Sequence, residues 1–145
     1  MKKILFLLLI IGLTGFRSMA NPGETIPASA RESFAKMFAT ASEVAWSQAE
    51  AYYRADFLFN GQHVQAYYSC SGALIAMKKN ILSTQLPLAL EVALRQNYGQ
   101  FWITNMEEVS SEDGVYYVAT LENGASRLQL KSMTASWFQL HNYRK

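Results

Sequence analysis

The side chains able to do chemistry in this 145-residue chain are few and scattered. His63 and His141 are its two histidines, and neither has a histidine or cysteine at the short spacing of a metal site. Zinc and copper sites gather three or four such ligands, so no metal site is expected. Cys70 is the one cysteine, so no disulfide can close within the chain. A cysteine nucleophile needs an oriented base beside it. His63 lies in the opposite strand phase from Cys70, so their side chains leave opposite faces of a sheet. Cys70 shares its phase with Val64, Ala66 and Tyr68 and is expected to be buried and inert. Glu107 and Glu108 are adjacent and face opposite ways on a strand, while Glu112 and Asp113 sit in a turn. There is no glycine-rich phosphate loop and no nucleophile elbow. No catalytic residue is assigned, and the chain is expected not to be an enzyme.

The chain opens on Met1-Lys2-Lys3, an apolar run from Ile4 to Leu13, and a small-x-small ending at Ser18 and Ala20. This is the pattern of a secretory leader over residues 1–20, too short for a membrane span of about 20 apolar residues. No cysteine lies near the cut, so no lipid anchor is expected, and no stable membrane anchor is expected once the leader is cleaved. The expected destination is the periplasm or the exterior. Removing the leader takes three of the 13 basic residues and none of the 11 acidic ones, leaving a net charge of −1. Such a domain gives no reason to invoke nucleic acid. Lys78-Lys79 reads as a solvated strand end.

Residues 21–27 read as a linker and 28–145 as one domain. Ser29 and Glu32 fit a capping box, ahead of an apolar helical stripe through Phe34, Met37, Phe38 and Ala41. Strands follow at Val44–Trp46, Tyr52–Phe59, Gln62–Ser69 and Ala73–Lys78, with Asn60-Gly61 suited to a type I′ hairpin. The order then recurs. Pro87 opens a helix carrying Leu90, Ala93 and Leu94, and Gly99 ends it. Strands are expected at Phe101–Val109, Val115–Leu121, Ser126–Lys131 and Ala135–Leu140. Tyr52-Tyr53 matches Tyr116-Tyr117 at a spacing of 64, and Asn60-Gly61 matches Asn123-Gly124 at 63. The expected fold is α+β: two tandem α-β-β-β-β repeats, about 28–82 and 83–145, sharing one antiparallel sheet with both helices on one face.

Strand phase divides the sheet. Tyr53, Ala55, Phe57, Phe59, Val64, Ala66 and Tyr68 form one face, continued by Tyr117, Ala119, Leu121, Leu128 and Leu130, and this face is expected beneath the helices. The other carries Tyr52, Arg54, Asp56, His63, Gln65 and Tyr67, then Tyr116, Val118, Thr120, Arg127, Gln129 and Lys131. One wet face is ordinary for an antiparallel sheet. Tyrosine and arginine, however, are the residue types enriched at protein interfaces. Tyr52, Arg54, Asp56, His63, Gln65, Tyr67, Tyr116, Arg127, Gln129 and Lys131 are therefore the candidate protein-binding face.

Phe38 and Trp46, the run Tyr52-Tyr53-Arg54-Ala55-Asp56-Phe57, Asn60-Gly61, Leu86-Pro87 with Ala89-Leu90, and Tyr98-Gly99 occur in an order that resembles a known group. These are the PepSY-like proteins of the β-lactamase-inhibitor-like type, small exported proteins of Bacteroidota. The resemblance spans residues 29–142. It implies a curved sheet with helices on one side and the other side open to a partner, with no cofactor and no catalytic residue. Ser69-Cys70-Ser71-Gly72 departs from the acidic Asp-x-x-Gly turn common in the group, which argues against cation binding there.

The reading is thus a non-catalytic periplasmic binding module, inhibitory in its fullest form, directed at an envelope or periplasmic protein. One alternative is a carrier holding a small apolar ligand between helices and sheet, motivated by the aromatic content. The other is an enzyme on a cone-shaped α+β scaffold, which needs a polar pocket.

Overall fold

The computed structural model describes residues 26–144; the leader and most of the linker lie outside the described residues. The elements are α1 (Ala28–Met37), β1 (Ser42–Gln48), β2 (Tyr53–Phe59), β3 (Gln62–Tyr68), β4 (Leu74–Asn80), a 3-10 turn (Ser83–Gln85), α2 (Leu88–Tyr98), β5 (Trp102–Ser111), β6 (Gly114–Glu122), β7 (Ser126–Met133) and β8 (Ser136–Arg144). Among the described residues, eight strands form one sheet in chain order β1 to β8. Every neighbouring pair is antiparallel, so each strand pairs with the next and the two repeats meet at β4 and β5.

Both helices cover the face that the strand phase assigns to them. Under α1, Ala30, Phe34 and Phe38 bury against Ala55, Phe57, Ala66 and Tyr68. The alanines leave room for the helix, and the phenylalanines fill the remainder: Phe34 meets Phe57 edge-on at 4.9 Å between ring centroids. Under α2, Leu86 and Leu94 bury against Met106, Ala119, Leu121, Leu128 and Leu130. Trp137 of β8 pins this helix by donating its indole N–H to the Leu90 carbonyl at 2.9 Å.

Several local expectations are corrected. The capping box at Ser29 and Glu32 does not form: Pro27 is the N-cap, no side chain caps the helix, and the Pro27 carbonyl accepts from the N–H groups of Ala30 and Arg31. Met37 is exposed, because α1 stops there and Phe38 already turns off the helix. Gly99 ends α2 as expected, in right-handed conformation. Asn60 and Gly61 take the positive φ values of a type I′ turn, 51° and 77°. Asn123 does not take the same role. Its side-chain oxygen accepts from the N–H groups of Ala125 and Ser126, each at 2.9 Å, closing a local loop.

The ladders settle which spacing relates the repeats. Arg54 pairs with Tyr67, Asp56 with Gln65 and Leu58 with His63; 64 residues on, Val118 pairs with Lys131, Thr120 with Gln129 and Glu122 with Arg127. The spacing of 64 holds through both hairpins, so Asn123 is the counterpart of Phe59 rather than of Asn60.

Cys70 is exposed, contrary to expectation, because β3 ends at Tyr68 and the chain turns before the alternation reaches it. In that turn Gly72 is buried with φ +86°, and a side chain there would meet Ser29 and the backbone of Ala30, so the start of α1 rests directly on it. Lys78 and Lys79 are not a loose strand end. They pair with Glu107 and Glu108 across the β4–β5 seam, each at 3.1 Å.

Tyr68 is fully buried, and its hydroxyl has no hydrogen-bond partner among the described residues. A buried polar group left unpaired costs about 1–3 kcal/mol. Tyr68→Phe is therefore expected to leave the fold intact and raise the unfolding free energy by about 1 kcal/mol in urea titration.

Candidate interaction face

Register lines up the helix-free face in rows. In the first repeat, Arg54, Tyr67 and Ala76 form one row, and Asp56, Gln65 and Lys78 the next. In the second, Val118, Lys131 and Phe138 form a row, then Thr120, Gln129 and His141, then Glu122, Arg127 and Tyr143. Trp102 joins the last row through its pairing with Glu122.

The first repeat knits its polar side chains together. Arg54 Nε donates to Asp56 Oδ2 at 2.8 Å, Gln65 Nε2 to Asp56 Oδ1 at 2.6 Å, and the Tyr67 hydroxyl to Gln65 Oε1 at 3.1 Å. Tyr67 is 1% exposed, so it is a base for the face and not a contact offered to solvent. Strand phase places it on the helix-free side. Its depth comes from non-local neighbours: Ala76 and Val109 bury with it, and Tyr52, Tyr116 and Val118 pack around them. Tyr52 meets Tyr67 edge-on at 5.5 Å. His63, at the other end of β3, is exposed. In the second repeat, Lys131 Nζ sits 4.0 Å from the centre of the Tyr116 ring, a cation–π contact.

Between the repeats the face dips into an open basin of about 320 Å³, lined by Asp56, His63, Gln65, Lys78, Asn105 and Glu107 among others. Its two carboxylates are already engaged, Asp56 by Arg54 and Gln65, and Glu107 by Lys78. Among the described residues, no group of three or more histidine, cysteine or acidic side chains is placed to hold a metal.

Four exposed or half-buried side chains of this face escape the sequence reading: Trp102, Phe138, His141 and Tyr143. The reason is geometric. The β5–β6 ladder shifts register between Ile103 and Asn105, and the β7–β8 ladder shifts so that Gln129 faces His141 while Leu130 faces Gln139. Each bulge reverses the alternation on one side of it. Phe138 and Tyr143, five positions apart, thus share a face, and β8 runs on to Arg144, past the expected end at Leu140.

No family model and no curated protein matches the sequence. Solved structures do match the fold. A DUF2874 family protein from Bacteroides uniformis superposes with a TM-score of 0.73 at 22% identity, over 83% of this chain and 90% of that one. A BLIP-like protein from Bacteroides fragilis gives 0.70 at 19% identity, over 85% and 89%. A candidate periplasmic protein from Bacteroides eggerthii gives 0.73 at 21% identity, over 83% and 90%. The chain has the α+β fold of these BLIP-like and DUF2874 proteins.

Burial raises the pKa of three tyrosines. Tyr68 is pushed up to about 12 by desolvation. Tyr67 is raised further by desolvation, an effect opposed by Arg54 and reinforced by Tyr52, Asp56 and Glu107. Tyr116 is raised by desolvation and then by Glu107. A folded pKa above the unfolded one means stability that is complete below the unfolded value, near 10, and lost as pH rises through the folded value. The urea midpoint is therefore expected to hold steady up to about pH 9 and to fall above about 10. Over the same range, tyrosinate absorbance of the folded domain is expected to lag behind that of the denatured chain, because Tyr67, Tyr68 and Tyr116 ionise late.

Proposed function

We propose that the chain is a non-catalytic periplasmic module that binds a protein partner through its helix-free face. The observation carrying this reading is the pairing of a rigid base with projecting anchors. Tyr67 and its hydrogen-bonded neighbours are immobilised, while Trp102 and Tyr143 stand 56% and 54% exposed on the same face. Aromatic anchors on a preorganised surface lose little entropy on docking, which is why they dominate binding energy at interfaces. The leader-like start of the sequence supports export, as does the likeness to a candidate periplasmic protein. The likeness to a BLIP-like protein supports a binding role.

The rival readings find less support. An apolar carrier needs an enclosed pocket. The helix-side groove, about 300 Å³, is open and lined by the charged Lys79 and Glu108 as well as by Phe38, Phe59, Val64 and Met77. An acid–base enzyme needs a carboxylate free to move a proton, and Asp56 and Glu107 are both held by cations.

Residues 21–145, immobilised and exposed to a periplasmic extract of the native host, test the proposal. The expected outcome is one retained protein that is lost when the bait carries Trp102→Ala with Tyr143→Ala. The same protein should be kept when the bait carries Leu88→Ser on the outer side of α2. The opposite pattern would put the interface on the helices and contradict the proposal.

A further inference from the structure

The two repeats present the same frame with different chemistry. The spacing of 64 lays Arg54, Asp56, Gln65 and Tyr67 onto Val118, Thr120, Gln129 and Lys131. In the first repeat these side chains use their hydrogen-bonding capacity on each other. In the second, Val118 and Thr120 replace the arginine and the carboxylate. Gln129 then makes no side-chain hydrogen bond among the described residues. Lys131 has no carboxylate within ion-pair range among them, and its ammonium rests on the Tyr116 ring. Arg127 meets Glu122 at the longer distance of 3.5 Å, with the arginine side chain 42% exposed and the glutamate recessed at 21%.

Strand β8 completes the pattern. Register sets Tyr143 beside Arg127, His141 beside Gln129 and Phe138 beside Lys131. The strip is therefore two cations with an amide between them, flanked by a row of rings. The cations are four residues apart on one strand, about 13 Å at the usual rise. An extended partner strand with carboxylates four residues apart has the same repeat. The primary amide of Gln129 carries both N–H donors and a carbonyl acceptor, so it can pair with the C=O and N–H of a peptide group. Phe138 and Tyr143, 49% and 54% exposed, can cover the ion pairs and reduce their screening by water.

We propose that the β7–β8 strip is the docking site for an acidic, extended segment of the partner, with its carboxylates on Lys131 and Arg127 and its backbone on Gln129. This rests on the protein-binding reading of the helix-free face and adds which half binds and what chemistry it selects.

The test uses residues 21–145, isotopically labelled, and a capped heptapeptide probe with glutamates at its second and sixth positions and valine or threonine elsewhere. The expected result is saturable amide shifts in 127–131 and 138–143. The affinity should fall at least tenfold for the diglutamine version of the probe, and equally for Lys131→Gln. Lys131→Arg and Lys36→Gln (on α1) should bind as the parent does. Equal response to both peptides, or no saturable shift, overturns the acidic-segment proposal and leaves the face itself to the capture experiment. Shifts confined to β2 and β3 overturn the strip while supporting the face. Shifts confined to α1 and α2 overturn both readings. Polygalacturonate binding to the strip while the peptide does not bind overturns the peptide assignment in favour of an anionic glycan.

Discussion

The structure depends on the seam between β4 and β5. Each helix buries its own cluster, and the two clusters do not merge into one core. What makes one body of them is the ladder from Ala76–Ser111 to Asn80–Glu107, with an ion pair on each side of the sheet. Lys78 and Glu107 are 15% and 13% exposed, so removing either would strand a poorly hydrated charge opposite nothing. Sequential hairpins everywhere else keep contacts local. Only at this seam does the chain leave the sheet, form α2 and return, so this pairing fixes the second repeat relative to the first.

That constraint has consequences on the helix-free side. With both helices on one face, the eight strands have a second face on which no described helix packs. Val109 of β5 buries beside Tyr67 and Ala76 of the first repeat, while Tyr116 and Val118 of β6 close over them. The seam thus builds the base of the candidate face from both repeats. The division of labour follows: the first repeat spends its polar groups on rigidity, and the second leaves Gln129, Lys131 and Arg127 presented beside the rings of β8.

Much of this was legible because the information was local. Alternation in β2, β3, β6 and β7 assigns Ala55, Phe57, Ala66, Ala119, Leu128 and Leu130 to the helix side without any knowledge of tertiary contacts. Asn60-Gly61 names its own turn, since few other pairs tolerate two positive φ angles. What was not legible is non-local. Depth on a face depends on neighbours several strands away, so Tyr67 read as a contact and proved to be a foundation. Lys78 and Lys79 found their partners only once a helix and its loops had been spanned. Bulges near Thr104 and Leu140 reverse parity without a sequence mark, which hid Trp102 and Tyr143. A turn beginning one residue earlier than the alternation suggests moved Cys70 into solvent.

The claim that the seam makes one cooperative body from two repeats can be read directly from native-state hydrogen exchange against urea. If the account holds, the slowest amides of β2 and β3 and those of β6 and β7 will exchange through one opening, with the same free energy and the same urea dependence. If the amides of one repeat open at markedly lower free energy and with a smaller urea dependence than those of the other, the repeats are separate folding units. The β4–β5 ladder would then not be the constraint on which the face depends.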